Sequence, residues 1–386
     1  MRLRPRPTVL ELAPTLAPPA AERLSPARDR DRLDLYLSAF LAGSRRRHVA
    51  NPHLLPLYNR AAEFALHGGK RLRPRLCLAS YRICSGRLDS PPRPVWLAAA
   101  SLELFHAFML VHDDLIDGSL TRRDRLTLHE AIRADDFDGD EPGGQKRAAD
   151  LGLVAGDLLF SLGMRLLSRA GLDDASSARA QRLVADMLFE TGLGEALDIL
   201  YGDCPLELLD EAQLVEAYHR KTARYSVSGP LVLGATLAGA SSQACKALRR
   251  FGDLLGLAYQ LKNDLDALDA DPIDGDHPDL DAGKRTLVLW TTHRRLGDAG
   301  RRELIDALDA PTGTDRRIRL LGLIKGCGAV EDCHARLRSL QREAVDVLRD
   351  AGLDPSQRRA FIDLTELLPH QARPPLNGNG HRHDHD

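Results

Sequence analysis

Apolar residues recur at spacings of three and four along nearly all of the chain between residues 30 and 367, the period of an amphipathic helix. Leu, Ala, Arg and Glu dominate there, and all four are good helix formers. Helices are predicted over 30–48, 53–66, 71–86, 93–116, 146–169, 174–200, 208–220, 223–239, 243–267, 284–296, 300–309, 315–325, 329–351 and 356–367. The pattern breaks at Gly68-Gly69, Pro91-Pro92, the acidic loop 135–144, Pro205, Pro230 and the segment 271–283. The stretches 96–111 and 254–261 are apolar nearly all round, as central helices of a large bundle are. Few segments alternate apolar with polar residues, and aromatics are only 5%, which disfavours a β architecture. No repeat of about 20–50 residues divides the chain. The expectation is one all-α domain over 29–368. A Pro/Arg-rich arm with six prolines (1–28) precedes it and a His/Asn/Gly-rich tail (369–386) follows, both expected to be disordered.

Composition narrows the function classes. The 386 residues carry 53 basic and 55 acidic side chains, net −2, so no basic surface for nucleic acid is expected. Seven of the basic residues are Lys and the rest Arg, a skew that a GC-rich genome explains as well as any function. The six cysteines (77, 84, 204, 245, 327, 333) form no CxxC pair or zinc-finger spacing, which suits reduced thiols in a cytoplasmic protein. The N-terminus lacks the apolar core of a signal peptide. The most apolar stretch, 96–111, is interrupted by Glu103 and His106, so no membrane span is expected. The histidines of the tail read as a solvated segment rather than a metal site.

The sharpest chemical signal is Val-His-Asp-Asp-Leu-Ile-Asp at 111–117. Asp113 and Asp117 are four apart and share a helix face, with Asp114 beside them. Such hard oxygen ligands suit Mg²⁺ held jointly with substrate phosphates, although a solvated helix end has the same sequence. Context favours phosphate chemistry. Thr121-Arg122-Arg123 follows, with guanidinium forks suited to phosphate. Upstream, Gly68-Gly69 precedes three cations, Lys70, Arg71 and Arg73, in a turn entering a helix, a good diphosphate site though no Walker loop. A second acidic segment, Asn263-Asp264-Leu265-Asp266, ends another apolar helix, while Lys221-Thr222 and Lys284-Arg285-Thr286 add cations.

In order along the chain, GGKRLRP, ELFHAFMLVHDDLID followed by RR, AGDLLF, KTARYSVSGPLVLGA, GLAYQLKNDLDAL and DLDAGKRT resemble the motifs of the trans-isoprenyl diphosphate synthases, the polyprenyl synthetase family. The resemblance covers residues from about 30 to 365. It implies the isoprenoid synthase fold, about a dozen helices around a deep apolar central cleft, and a homodimer. It also implies isopentenyl and allylic diphosphates as substrates and about three Mg²⁺ per site. The reaction implied is head-to-tail trans condensation: the allylic diphosphate ionises, and the double bond of isopentenyl diphosphate attacks the cation. By motif, Asp113, Asp114 and Asp117 form the first aspartate cluster, Asp113 and Asp117 being the direct Mg²⁺ ligands. Lys70, Arg73, His106 and Arg123 match the holders of isopentenyl diphosphate. Arg122, Lys221 and Lys284 match those gripping the allylic diphosphate, and Thr222 and Gln260 stand near the reacting carbons. Asn263 and Asp264 complete the metal set.

The second cluster departs from the family's DDxxD. Asn263 replaces the carboxylate expected to hold the third ion and brings no charge, so binding there should weaken. Asp276 stands where relatives have a phosphate-binding Lys, in a short loop. Two rival readings follow. In a class I terpene cyclase Asn263, Ala267 and Asp271 would form a partial metal triad, but such an enzyme needs no isopentenyl diphosphate pocket. A regulatory subunit of another prenyl synthase would usually have lost the first cluster, which is intact. Phe108 and Met109, five and four residues before Asp113, match the positions that set product length, pointing to a fifteen- to twenty-carbon product of farnesyl or geranylgeranyl type. The arm reads as a functionless extension or, alternatively, as a docking segment for a shell or pathway partner.

Overall fold

Helix signals that the sequence spaces at three and four are fixed by local chemistry at their starts. Asp173, Ser241 and Thr286 each accept a backbone N–H as N-caps. Asp210 with Gln213 and Asp354 with Gln357 form full capping boxes. The computed structural model describes residues 26–365 apart from 88–89, 123–124, 137–142, 272 and 274–276. The predicted arm and tail therefore lie outside the described residues, except that the first helix already begins at Pro26.

The elements are α1 (Pro26–His48), α2 (Leu55–Leu66), α3 (Leu72–Ser85), α4 (Arg93–Ile116), a hairpin of β1 (Thr121–Arg122) and β2 (Arg125–Leu126), α5 (Leu128–Asp136), α6 (Gly144–Ser168), α7 (Asp174–Gly202), α8 (Glu211–Tyr218), a π-helical segment (His219–Ser228), α9 (Gly229–Leu237), α10 (Ser242–Asp266), α11 (Pro278–Asp281), α12 (Leu287–Arg295), α13 (Asp298–Asp309), α14 (Thr314–Gly326), α15 (Ala329–Val347) and α16 (Pro355–Leu364). The predicted all-α class holds. Only a two-residue antiparallel ladder, Thr121 opposite Leu126 and Arg122 opposite Arg125, interrupts it among the described residues.

Three apolar clusters make the core. One surrounds α4 and takes in α1, α2, α3, α6 and α7, with Trp96 and Phe105 fully buried. A second joins α8, the C-terminal half of α10 and α12 to α15. The third joins α3, α9, α10 and α16, with Phe251 against Phe361. α4 and α6 are each long and apolar enough to cross a bilayer, but 72% of the α4 stretch is buried and α6 runs along α4. Both are bundle helices.

Four differences from the sequence reading have local causes. α5 and α11 were not anticipated, because nine and four residues are too short to display a helical period. The predicted interruption near 221–222 and the break at Pro230 are absent. The chain stays helical from α8 through the π segment into α9, with Pro230 the second residue of α9. Arg71, read as one of three cations of a diphosphate-binding turn, is turned inward and only 4% exposed. It donates to Glu103 at 2.8 Å, to Asp34 at 2.8 Å and to the carbonyls of Ala65 and Leu66. One guanidinium thus clamps α1, α2 and α4, at a residue of positive φ (+48°) just after Gly68 and Gly69.

Glu103 is itself 4% exposed, so removing its partner strands a buried charge. Arg71→Ala is expected to destabilise the protein by about 3–5 kcal/mol, read from the denaturant midpoint. An unshifted midpoint would contradict the clamp.

Candidate active site

Three carboxylates crowd the C-terminal turn of α4, where the helix dipole is already negative. The sequence resolves this by reversing the chain. Gly118 adopts φ +61°, and the hairpin returns Arg122 over the turn. Its Nη2 donates to Asp113 Oδ2 at 2.9 Å and its Nε to Asp114 Oδ1 at 2.6 Å. Asp114 is fully buried and its Oδ2 has no hydrogen-bond partner. Burial pushes its carboxyl up to about 6; Arg122 opposes this, and Asp113 and Asp117 reinforce it. Arg123 lies outside the described residues.

The facing wall comes from α7, the π segment and the turn before α12. Lys221 Nζ lies 2.6 Å from Asp198, 3.0 Å from Glu195 and 3.6 Å from Asp113. Burial alone would make this ammonium more acidic, but the three carboxylates outweigh it and hold it firmly protonated. Gly283 (φ +64°) aims Lys284 back, with Nζ 3.1 Å from Asp117 and 3.7 Å from Asp279. Burial raises the carboxyls of Glu195 and Asp279, and the two lysines oppose this. Arg122, Lys221 and Lys284 therefore stitch Asp113, Asp114, Asp117, Glu195, Asp198 and Asp279 into one cluster.

Lys221 and Thr222 sit on the π segment, an arrangement common at functional sites. Neighbouring helices press on it through glycine. A Cβ on Gly194 would lie 2.2 Å from the Lys221 nitrogen, and one on Gly256 would lie 2.4 Å from Ala223 Cα. Thr222 Oγ1 donates to Gln260 Oε1 at 2.9 Å, and Gln260 Nε2 donates to Asp264 Oδ1 at 2.8 Å. The buried Tyr218 hydroxyl donates to the other Asp264 oxygen and accepts the Leu287 N–H at 2.9 Å. Burial pushes Asp264 up to about 7, against the hydrogen bonds from Tyr218 and Gln260. The chain of bonds orients the amide of Gln260 so that its oxygen faces Thr222.

Arg73 lies 4.4 Å above the Tyr225 ring and donates to Ser226 at 2.7 Å, and the His106 ring is 6.0 Å from the same Tyr225. Arg73 and His106 therefore converge on Tyr225 of the π segment, with Lys70 exposed after Gly69. Asn263 is exposed beside the buried Asp264. Asp271 is exposed, and its side chain accepts the Ile273 N–H at 2.8 Å. Asp276 lies outside the described residues. Phe108 packs toward α6 and Met109 is half-buried on α4. Glu195, Asp198, Tyr218 and Asp279 were missed. Only the three-residue spacing of Glu195 and Asp198 beside Gly194 hinted at a shared acidic face.

The family model for polyprenyl synthetase matches residues 56–320. The chain is 29% identical to the geranylfarnesyl diphosphate synthase of Aeropyrum pernix, over 77% of this chain and 88% of that protein. It is 28% identical to a (2E,6E)-farnesyl diphosphate synthase of Mycobacterium tuberculosis, over 93% and 92%. Among solved structures, it aligns with the geranylgeranyl pyrophosphate synthase of Corynebacterium glutamicum, complexed with isoprenyl diphosphate and magnesium. The TM-score is 0.79 at 27% identity, covering 89% of this chain and 98% of that one. The chain belongs to the polyprenyl synthetase family. It is a trans-prenyltransferase of the isoprenoid synthase fold, as its ordered motifs implied.

Gly256→Ala tests the role of the π segment. Alanine favours a helix over glycine, yet its methyl would push Ala223 and carry Thr222 with it. The expected result is unchanged helix content by circular dichroism with turnover reduced on the order of 10²-fold.

Proposed function

We propose that the protein condenses isopentenyl diphosphate with an allylic diphosphate, head to tail and trans, to a product of farnesyl or geranylgeranyl length. The observation that carries this reading is the double wall in which Lys221 and Lys284 face the carboxylates of α4. Lys70, Arg73 and His106, with Arg123, bind isopentenyl diphosphate. Arg122, Lys221 and Lys284 hold the allylic diphosphate, and on its arrival they exchange carboxylate partners for phosphate oxygens. Thr222 and Gln260 present oxygen dipoles to the electron-poor carbon, held in place by Asp264. Apolar residues below keep water from that carbon. Phe108 and Met109 limit chain growth.

Mg²⁺ fits this donor set. Among the described residues no three acidic, imidazole or thiol groups converge to hold an ion alone. Mg²⁺ is commonly held by one or two carboxylates together with substrate phosphates. Asp113 is half-buried and Asp117 exposed, both with cationic partners, and Asp114 has a free oxygen, so the excess of carboxylates calls for further positive charge. Asp113 and Asp117 would hold ions, about three per site in all, with Asp264 and the weaker Asn263 on the other wall. Bound there, Mg²⁺ supplies charge neutralisation of the departing diphosphate.

A homodimer through α6 and α7 accounts for their outward Leu153, Val154, Leu158, Phe189 and Leu193, each at least 37% exposed in the single chain. We place the protein in the cytoplasm with no membrane span or nucleic-acid partner, and we regard the arm as an extension rather than a docking segment.

The deciding assay supplies isopentenyl diphosphate, each allylic diphosphate in turn and Mg²⁺. A longer diphosphate is expected; release of a hydrocarbon from farnesyl or geranylgeranyl diphosphate alone would indicate a cyclase, and silence a regulatory subunit. Asp113→Asn should lower turnover by about 10²-fold or more. Restoring the charge with Asn263→Asp should lower the Mg²⁺ concentration needed for half-maximal rate, and an unchanged requirement would remove Asn263 from the metal set.

A further inference from the structure

α4 and α6 run antiparallel, and their side chains meet in a ladder with one irregular rung. Going down α4 from the aspartates, His112, Phe108 and Phe105 are separated by four and three residues. They face Gly156, Phe160 and Gly163 on α6, separated by the same steps in the opposite direction. At the upper rung a Cβ on Gly156 would lie 2.3 Å from His112 Nε2. At the lower rung a Cβ on Gly163 would lie 2.7 Å from the Phe105 ring. Each of these rings therefore occupies space that only glycine leaves open.

The middle rung differs. Phe108 and Phe160 are both aromatic, with ring centroids 5.4 Å apart and planes at 65°, an edge-to-face contact. Phe160, itself 37% exposed on the outer face of α6, also meets Phe105 at 5.9 Å and 62°, and the His112 ring stands 4.7 Å from Phe108. Phe108 thus contacts two rings, one on its own helix and one on α6. Its Cα lies five residues, about 7.5 Å, below that of Asp113 along the helix axis.

We propose that Phe160 is a specificity-determining residue of this enzyme. It forms the second barrier to chain growth and fixes Phe108, the first. This rests on the reading that the protein elongates allylic diphosphates and that Phe108 limits the product. With Phe160 in place, loss of the Phe108 ring opens a pocket that still ends on Phe160. Loss of Phe160 frees Phe108 to swing toward α6, and loss of both opens the gap between the helices.

The test compares the products of the wild type, Phe108→Ala, Phe160→Ala, Phe160→Leu and the Phe108→Ala/Phe160→Ala double variant. Each is incubated with isopentenyl and farnesyl diphosphates and analysed by mass spectrometry, and its assembly size is measured by sedimentation. Phe160→Ala is expected to add at least one isoprene unit to the main product with assembly size unchanged. The leucine variant, which keeps the site filled with apolar volume, should shift the products less. The double variant should make longer products than Phe108→Ala alone. Identical products from the double variant and Phe108→Ala, with Phe160→Ala and Phe160→Leu matching the wild type, would overturn the inference while leaving the elongation reading intact. Lengthening only when the assembly dissociates would place the cause at the subunit surface and also overturn it. A wild type that makes no elongated diphosphate overturns both readings.

Discussion

Electrostatic crowding at one helix end governs this protein. Asp113, Asp114 and Asp117 sit together at the negative pole of α4, and Asp114 is wholly removed from water. Uncompensated, such a group of charges would cost far more than packing returns. Arg122, Lys221 and Lys284 supply the compensation, and each arrives from a different part of the chain. The hairpin, the π segment and the Gly283 turn have a common purpose in delivering them. The bundle around α4 is the frame that makes the delivery precise.

The same compensation is incomplete, and on the proposed reading that incompleteness is what the site uses. More carboxylates than cations surround the space between α4, α7 and α10, and burial leaves Asp114, Glu195, Asp264 and Asp279 holding their protons more tightly than free acids. A diphosphate with divalent ions offers positive charge to the carboxylates and negative charge to the lysines at once. Arg71, two residues before Arg73, shows the contrasting case of a cation whose charge is met by Asp34, Glu103 and two carbonyls and whose work is structural.

Much of this was legible in the sequence. The helical period located nearly every long helix, and spacing alone put Asp113 and Asp117 on one face. The ordered motifs assign Lys221, Thr222, Gln260 and Lys284 to one site, and the structure places Lys221 by Asp113, Lys284 by Asp117 and Thr222 by Gln260. What the sequence hid was direction. Nothing in Lys70-Arg71-Leu72-Arg73 reveals that the second cation points inward, because Gly68 and Gly69 set a backbone turn that a periodic reading does not resolve. The π segment was hidden for a related reason: i→i+5 pairing shifts the face without altering residue types. Glu195, Asp198 and Asp279 escaped notice as polar residues on otherwise ordinary helices, and only the fold places them beside Lys221 and Lys284.

The central claim is that the two walls hold diphosphate through divalent ions, and calorimetric titration of a non-ionisable allylic diphosphate analogue tests it most directly. The account predicts binding in Mg²⁺ that weakens at least about tenfold in EDTA, and the same weakening in Mg²⁺ when Asp113 and Asp117 are both changed to Asn. Equally tight binding with and without the metal would contradict it.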